Sequence, residues 1–389
     1  MRMLTGGESH GPAVVAIIDG VPAMLPVSAA HIDRDLARRQ VGHGRGARMR
    51  IEQDHVRILS GVRHGRTMGS PLTLLVENLD HEKWKDVMSA EPVPGSHSRA
   101  ETKPRPGHGD MAGMLKYWTM DARDILERAS ARETAARVAA GAVARVLLAE
   151  LGVNVRSRVL AVGPVAVEPA SMAGEEEYLR ADADPMRCSD SAASGRMVEE
   201  VDRAAGDGDS LGGLFEVAVF GAPPGLGSHA QSDRRLDARL CAAFASIPAI
   251  KGVEIGDGFG LAGVRGSGAH DELFFEAGRG LYRKTNRAGG IEAGMSNGEP
   301  IVVRAAMKPI PTLASPLATV DLVLLNAARA FKERADVCAV PAASVVGEAV
   351  AALVIADAAQ EKFGGDSLGE MKRNLAGYLD QIGDLWKRR

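Results

Sequence analysis

Apolar and polar positions alternate with two different periods along this chain, and each period predicts a different kind of element. A helical period begins at Val27-Ser28 and stops at the glycine-rich loop of residues 42–46. Residues 56–62 and 72–77 have the period of strands and are joined by a glycine-containing segment, which is typical of a hairpin rather than of a βαβ unit. The sheet is therefore expected to be antiparallel.

The clearest helix signal follows Ser130-Ala131-Arg132-Glu133, a capping-box pattern. The helix is predicted over Thr134 to Leu151, with a stop at Gly152. Small apolar side chains lie on most of its faces: Ala135, Ala136, Val138, Ala139, Ala142, Val143 and Val146. A helix without a polar face must be covered on both sides, so we expect other elements to enclose it.

The rest of the chain shows weaker patterns, which predict elements with approximate bounds. The pattern predicts strands over 214–220, 250–255 and 301–307, and helices over 233–245, 342–359 and 368–387, the last within a C-terminal segment of about 365–389. The acidic segment of about 168–208 is expected to be a solvated insertion with some helix. Gly208 to Gly213 is interpreted as a turn, because Leu211 breaks its likeness to a serine nucleophile loop. The pattern alone predicts an α+β protein.

Composition limits the kinds of protein to which this chain can belong. The 389 residues allow one large unit or two to three domains, and the even spread of apolar residues favours a single domain over 1–389. A net charge of -3 and 4% aromatic residues argue against a nucleic-acid partner. Three widely spaced cysteines predict neither a disulfide framework nor a zinc site. No signal core and no apolar run of about 20 residues is evident. We expect a cytoplasmic protein without membrane contact.

Two histidines lie in glycine-flanked loops, in Gly7-Glu8-Ser9-His10-Gly11 and in Arg105-Pro106-Gly107-His108-Gly109-Asp110. Backbone with few side chains lets a ligand approach closely, and histidine is the side chain that titrates nearest neutrality. The two loops therefore indicate acid–base chemistry. The alternative is that both are loop histidines with nothing bound.

Arginines cluster in glycine-rich or capped turns although the chain is slightly acidic. They are Arg39, Arg45, Arg48, Arg105, Arg128, Arg132 and Arg334. Guanidinium groups bind carboxylates and phosphates bidentately, so the cluster predicts an anionic ligand. The start of the Arg132 helix adds free backbone N–H groups. The alternative is a set of surface ion pairs.

Several competing motifs are missing or incomplete. There is no P-loop, and Gly256 to Gly260 lacks the spacing of a dinucleotide fingerprint. The ten histidines show no zinc-ligand spacing, so no metal is expected. The glycine-rich stretch from Gly289 to Gly298 indicates backbone lying against a flat or phosphorylated ligand, or else a plain irregular turn.

Taken in order, these blocks resemble the chorismate synthase family along nearly the whole chain. The blocks are Gly7 to Gly11, Arg38 to Met49, Arg105 to Asp110, Arg128 to Thr134, Gly252 to Gly256, Gly289 to Pro309 and Arg334 to Cys338. The resemblance implies a lyase of the shikimate pathway, which converts 5-enolpyruvylshikimate 3-phosphate to chorismate by anti-1,4-elimination of phosphate. It also implies bound reduced FMN, with NADPH as a possible indirect reductant.

The resemblance further implies a fold and an assembly. Inner helices lie between two antiparallel sheets in a β-α-β sandwich, and four subunits form a homotetramer. No domain beyond the family blocks is evident, so an external flavin reductase is expected as a partner.

The resemblance also assigns residues. Arg39, Arg45 and Arg48 would bind the anionic substrate, where NADPH has also been assigned. The FMN group comprises Arg128, Ala129, Ser130, Pro248, Ala249, Ala293, Lys308, Pro309, Ile310, Pro311, Thr312 and Arg334. His10 would assist the departing phosphate, His108 would steady the N1 side of the flavin, and Asp336 would keep N5 competent as a base. Arg334, two residues earlier, could hold Asp336 ionised.

A few positions depart from the commoner family pattern. Gly6, Gly109 and Ala335 are atypical, and Ala293 replaces a glycine, which requires a negative φ there. Two other classes remain open: an FMN-dependent oxidoreductase, which would consume NADPH in proportion to product, and a non-catalytic anion- or RNA-binding protein, whose binding would weaken steeply with salt.

Overall fold

The computed structural model describes residues 1–46, 52–94, 100–167, 172–276, 280–333 and 335–387, and these form a mixed helix and sheet protein. The helices in chain order are α1 Ala29–Gln40, α2 Asp110–Tyr117, α3 Arg123–Ala129, α4 Thr134–Glu150, α5 Glu175–Asp182, α6 Ser191–Asp207, α7 Leu236–Ala245, α8 Gly266–Ala269, α9 Val340–Phe363 and α10 Leu368–Lys387. Short 3-10 turns cover Leu79–Lys83, Ala131–Glu133, Ser232–Arg234 and Gly258–Gly263.

The strands belong to two larger sheets and several small hairpins. In chain order they are β1 Arg2–Gly6, β2 Ala13–Asp19, β3 Val56–Ser60, β4 Val62–Arg63, β5 Arg66–Thr67, β6 Leu72–Glu77, β7 Asn154–Val162, β8 Val165–Ala166, β9 Gly213–Phe220, β10 Ile250–Ile255, β11 Leu273–Glu276, β12 Gly280–Arg283, β13 Ile291–Glu292, β14 Met295–Ser296, β15 Ile301–Met307, β16 Ala318–Asp321 and β17 Asn326–Arg329.

The first sheet has the strand order β1-β2-β6-β3, and every neighbouring pair is antiparallel. The prediction of an antiparallel sheet is therefore confirmed. On β2, Val14, Ala16 and Ile18 are buried, whereas Ile17 on the opposite face is 42% exposed. This period of two directs one face of the sheet toward α4, which contacts β2 and β6.

The second sheet has the order β10-β15-β9-β7-β8 and is also antiparallel throughout. Helix α9 packs on β7 and β9, and α7 packs on β10. On the other side of the chain's core, α4 packs against both α1 and α9. The predicted enclosure of the 134–151 helix is confirmed, since twelve of the seventeen residues of α4 are buried.

Helices α4 and α9 approach so closely that only a glycine is accommodated at their crossing. A Cβ built on Gly141 of α4 would lie 2.3 Å from the Cβ of Ala349 on α9. On α9, a Cβ at Gly347 would lie 2.7 Å from the ring of Phe215 on β9. The α9 backbone is thus wedged between α4 and the second sheet.

We predict that Gly141→Ala destabilises the protein by about 1–3 kcal/mol, because the gain in helix propensity is smaller than the cost of overpacking. Gly195, inside α6, is the matched control, since a Cβ there meets nothing within 4 Å. Gly195→Ala should raise the free energy of unfolding by up to about 1 kcal/mol. Urea denaturation of both variants measures the difference, and a neutral Gly141→Ala would contradict the close crossing.

Helix α9 bears on the expectation that the chain lacks a membrane span. By length and composition this 24-residue helix could cross a membrane, although Glu348 and Asp357 interrupt its apolar residues. Within the protein, however, 83% of its most apolar window is buried. A core helix of this kind passes the same test, so the finding is weak evidence for a membrane span.

Several predicted boundaries need correction. Helix α7 begins at Leu236 rather than Asp233, because a 3-10 turn precedes it, and α9 extends beyond 342–359 in both directions. The capping box is only half formed. The Ser130 hydroxyl accepts from the Arg132 N–H and thereby caps the 3-10 turn, while the Glu133 carboxylate bonds to Arg137 instead of turning back.

The prediction of a solvated acidic insertion is also wrong for most of that segment. Helices α5 and α6 pack on β7, and Tyr178 and Met197 are almost fully buried. Asp182 bonds to Arg38 on α1 and to Arg187. Residues 168–171 lie outside the described part of the chain. The segment therefore completes the core beside the second sheet.

Three arginines contact one buried acid at the junction of α1, α4 and α9. Glu348 of α9 is fully buried and accepts from Arg38 Nη1 at 2.7 Å and from Arg187 Nη2 at 3.1 Å. Arg145 of α4 lies 3.1 Å from the same carboxylate. Burial acts to raise the pKa of Glu348, but the arginine charges and hydrogen bonds outweigh it and hold the pKa far below the ordinary range.

Candidate functional site

A cavity of about 620 Å³ collects loops from distant parts of the chain. This size lies within the range of small-molecule and cofactor sites, about 300–1,000 Å³. Lining residues used below are Ser9, His10, Arg39, Arg45, Gly46, Trp84, Arg105, His108, Ala129, Ser130, Arg132, Pro248, Ala249, Lys308, Ile310, Pro311, Thr312 and Asp336. Both histidine loops predicted from the sequence therefore face one space.

His10 sits between an acid and an aromatic ring. Its Nδ1 lies 2.8 Å from Glu127 Oε1, and its backbone N–H donates to Glu127 Oε2 at 2.7 Å. The ring centroid lies 4.2 Å from that of Trp84. Asn78 donates to the Gly11 carbonyl oxygen at 2.7 Å and so fixes the loop. The imidazole is only 6% exposed and has one defined orientation.

His108 is held by the acid that begins α2. Its Nδ1 lies 2.5 Å from Asp110 Oδ1, and Arg105 Nε donates to Asp110 Oδ2 at 2.9 Å. Burial acts to raise the pKa of Asp110, but the hydrogen bonds from His108 and Arg105 hold it well below its usual range. The Arg105 guanidinium stacks on Phe331 at 4.5 Å and donates to Thr312 Oγ1 at 2.9 Å.

Two arginines that line the cavity, Arg39 and Arg132, share one buried acid. Asp54 accepts from Arg39 Nη2 and from Arg132 Nη1, each at 2.5 Å. Burial, followed by the charges of Arg132 and Arg45, lowers the pKa of Arg39 despite Asp54. Arg39 Nε is buried without a hydrogen-bond partner among the residues that the structure describes. An orphaned donor under excess positive charge suits an anionic ligand.

Asp336 is bound by the glycine loop of residues 42–46, and Gly46 lies 290 residues before it in the chain. The Gly46 N–H donates to Asp336 Oδ1 at 2.6 Å, and Arg45 Nη1 is ion-paired with Oδ2. A Cβ on Gly46 would lie 2.7 Å from the Ala335 carbonyl oxygen, so the two backbones touch. Arg45 is thus one arginine against Asp336, while Arg334 and Arg48 lie outside the described residues, so the predicted pairing of Arg334 with Asp336 stays a prediction.

Of the eleven residues of the predicted cofactor group that the structure describes, eight line the cavity and three do not. Arg128 donates to the carbonyl oxygens of Gly7 and Thr5, each at 3.0 Å, and does not line it. Pro309 is also outside the lining. Ala293 is exposed in the β13–β14 turn with φ 49°, so the expectation that its φ must be negative is wrong.

Lys308 adds a cation to the same wall. Its Nζ donates to the Gly107 carbonyl oxygen, which links the second histidine loop to the segment after β15. Burial and the nearby charge of Lys251 lower the pKa of Lys308. A bound anion would relieve this repulsion. The described residues contain no group of His, Cys, Asp or Glu that could hold a metal, and all three cysteines are free.

Sequence reasoning missed several residues that shape the site, notably Glu127, Asp54, Asn78 and Trp84. Arg123 and Glu127 are four residues apart on α3, and Arg123 Nη1 donates to Glu127 Oε1 at 3.1 Å. That spacing, immediately before the Arg128 block, was a usable signal. Asp54 carried no local sequence signal of its role, because it lies 78 positions from Arg132.

Comparison with known proteins decides the family. A model of the family described as chorismate synthase matches residues 1–360. The chain belongs to the chorismate synthase family. The chorismate synthase of Desulforudis audaxviator is 57% identical over 382 residues, covering 98% of both chains. That of Salinispora tropica is 56% identical over 389 residues, covering 98% of this chain and 99% of the relative.

A solved structure agrees with the sequence relatives. A crystal structure of chorismate synthase superposes with a TM-score of 0.79 at 41% identity, and the match covers 98% of each chain. Chorismate synthases are lyases of the shikimate pathway, so the identification of the family and of the enzyme class from the ordered blocks is confirmed.

Proposed function

We propose that this cavity eliminates phosphate from 5-enolpyruvylshikimate 3-phosphate in an anti-1,4 sense and so produces chorismate. One observation carries the proposal: a single space gathers both histidine loops, Asp336 and the arginines that surround Asp54. The substrate bears a phosphate and two carboxylates. Guanidinium groups on rigid loops are suited to hold those anions, and no other class of ligand would use them so fully.

Reduced FMN is the cofactor of this proposal, and the residues present suit it. The orphaned Arg39 Nε and the desolvated Lys308 leave cationic capacity for more than one anionic group. The FMN group would be held by Ala129, Ser130, Pro248, Ala249, Lys308, Ile310, Pro311 and Thr312, which line the cavity, and by Arg334. Arg128, Pro309 and Ala293 would act from outside its lining. When bound, reduced FMN would supply electron density and a proton acceptor for the elimination.

The chain's own groups account for the remaining demands of the reaction. His10 donates a proton or hydrogen bond to the departing phosphate, and His108 steadies negative charge at the N1 side of the flavin. Arg39, Arg45 and Arg48 bind the substrate anions, and they are also the site proposed for NADPH as an indirect reductant. Asp336 keeps proton removal from C6 effective. The C6–H bond leaves its electron pair in the substrate as the proton departs, and the C–O bond to phosphate takes one electron pair away, so the elimination is redox-neutral.

The proposal extends to fold, assembly and location. Contacts of α4 with the first sheet, of α9 with the second, and of α4 with α9 support an inner helical layer in a β-α-β sandwich. The residues form one domain over 1–389. The active form is a cytoplasmic homotetramer, and an external flavin reductase supplies reduced FMN.

The test mixes the purified full chain anaerobically with 5-enolpyruvylshikimate 3-phosphate and FMN, with and without dithionite, and follows phosphate and chorismate. We expect one phosphate per chorismate, only with reduced FMN. Absence of release under those conditions contradicts the proposal. NADPH consumption equal to product would indicate an oxidoreductase instead, and robust aerobic turnover on NADPH and FMN alone would contradict the need for a reductase.

Loss of the Arg45 side chain should weaken substrate binding much more than FMN binding. Arg45→Ala removes a charge-assisted bond worth about 1.5–3 kcal/mol, while the cofactor group lies on other segments. Titration of each ligand against the variant measures the two affinities, and Arg48→Ala is expected to behave alike. Equal losses for both ligands would show that the glycine loop is misassigned.

A further inference from the structure

The Glu127 carboxylate faces His10 at two points, the ring nitrogen Nδ1 and the backbone N–H. Glu127 Oε1 meets Nδ1 at 2.8 Å, and Oε2 accepts the backbone N–H at 2.7 Å. Both groups are almost fully buried, with His10 at 6% and Glu127 at 4% exposure. Nε2 makes no hydrogen bond to any part of the chain that the structure describes.

Glu127 is itself held rigidly. Arg123, one turn earlier on α3, donates to Oε1 at 3.1 Å, and its guanidinium lies 4.8 Å from the Trp84 ring centroid. Trp84 in turn stacks on His10. The backbone of α3 joins the same loop, because the Ser9 N–H donates to the Glu127 carbonyl oxygen at 2.8 Å. Glu127 therefore holds the edge of the imidazole, and Trp84 packs against its face.

We propose that Glu127 is a positioning residue that keeps the proton of His10 on Nδ1 and leaves Nε2 to serve the departing phosphate. The proposal rests on the function proposed above for His10. A carboxylate only accepts, so a neutral ring beside Oε1 must carry its hydrogen on Nδ1. A protonated ring keeps that hydrogen and donates the second one, from Nε2, to the phosphate oxygen; solvent restores it after each turnover.

The charge of Glu127 is needed for this role, and its surroundings maintain it. Burial acts to raise the pKa of Glu127, but the hydrogen bonds and charge of His10, together with the charge of Arg123, lower it below the ordinary carboxyl range. The acid is thus ionised at neutral pH. An ionised carboxylate can accept the Nδ1 hydrogen throughout the departure of phosphate.

Glu127→Gln separates charge from shape. Its single amide oxygen can accept the His10 backbone N–H, but the amide NH₂ then faces Nδ1 and forces it to be an acceptor. The proton moves to Nε2 in the neutral ring, and the protonated ring is opposed. We expect kcat to fall by about 10- to 100-fold, with KM and the affinity for FMN within about twofold of the parent. The pH–rate profile should move toward lower pH.

Glu133→Gln is the matched control. Glu133 is also a buried acid with an arginine four residues away, Arg137, at 2.8 Å, but it contacts no histidine. Its kcat and pH profile should match the parent. The His10→Asn background supplies the second control, because Glu127→Gln should cost nothing further there. An equal loss in both backgrounds would show a purely structural role and overturn the proposal.

A direct observation covers the case in which the variant fails to fold. Nitrogen-15 spectra of histidine-labelled parent protein, with the His10 signal assigned through His10→Asn, should show the Nδ1–H tautomer at alkaline pH. An Nε2–H tautomer would overturn the proposal. If the parent releases phosphate but Glu127→Gln retains full kcat, this inference fails alone; if the parent releases none, the proposed function fails.

Discussion

Asp336→Asn should lose turnover by on the order of 100-fold or more while still folding and binding reduced FMN, as expected when the carboxylate that assists proton removal is lost. The structure adds a second effect. Both carboxylate oxygens of Asp336 accept, one from Gly46 and one from Arg45, so an asparagine must turn its NH₂ group toward one of these donors. The glycine loop is then pushed away, and KM for the substrate should rise as well. Single-turnover and steady-state kinetics separate the two effects.

Arg45→Ala is the control that distinguishes proton transfer from loop positioning. If Asp336 only holds Arg45, the two single variants and the double variant should have the same kcat at saturating substrate. If Asp336 assists proton removal, Asp336→Asn should have the lower kcat. Turnover near the parent rate with both ligands bound would show that the catalytic role is wrong.

Glu348→Gln should reduce the free energy of unfolding by about 3–5 kcal/mol, because buried Arg187 and the partly buried Arg38 and Arg145 lose their shared counter-charge. Glu361→Gln, near the end of the same helix, is the control. Its carboxylate is 46% exposed where it meets Arg239, and its loss should change stability by no more than about 0.5 kcal/mol. Urea denaturation at fixed protein concentration measures both, and similar small effects would contradict the account of the junction.

Acid should affect the parent and the Glu348→Gln variant differently. The pKa of Glu348 is lowered in the folded protein, so its contribution is present above the ordinary carboxyl pKa and is lost as the pH falls toward the folded-state value. The parent should therefore lose more stability than Glu348→Gln between about pH 5 and about pH 3. Parallel losses would mean that Glu348 is not ionised in the native state.

Elements with strong periodicity were predictable from sequence, and those set by distant partners were not. Strand β6 and helix α10 agree with the pattern because each carries its own apolar face, whereas β1 and β2 of the same sheet were not predicted. The acidic segment was predicted wrongly, because Asp182 is paired with Arg38 of α1 and with Arg187, and the local charge pattern does not reveal these partners.

The candidate site shows the same division. His10 and His108 were visible because glycines mark their loops, and the cavity joins them as predicted. The acids that orient these two histidines differ in how far they lie from them in the sequence. Asp110 is two residues from His108, whereas Glu127 is 117 residues from His10 and becomes its neighbour only through tertiary structure. Ala293 lies in an exposed turn outside the cavity lining, so its contact with FMN stays a prediction.

The central position of α9 has a consequence for biosynthesis. Arg38 and Glu348 are 310 residues apart, and α9 covers surfaces of α1, α4 and the second sheet that form from earlier parts of the chain. Until the ribosome has released residue 363, these apolar surfaces have no native cover. At about 5–20 residues per second, the growing chain spends many seconds in that state, which exposes it to aggregation. Its yield in a cell should therefore respond to chaperones that shield nascent chains.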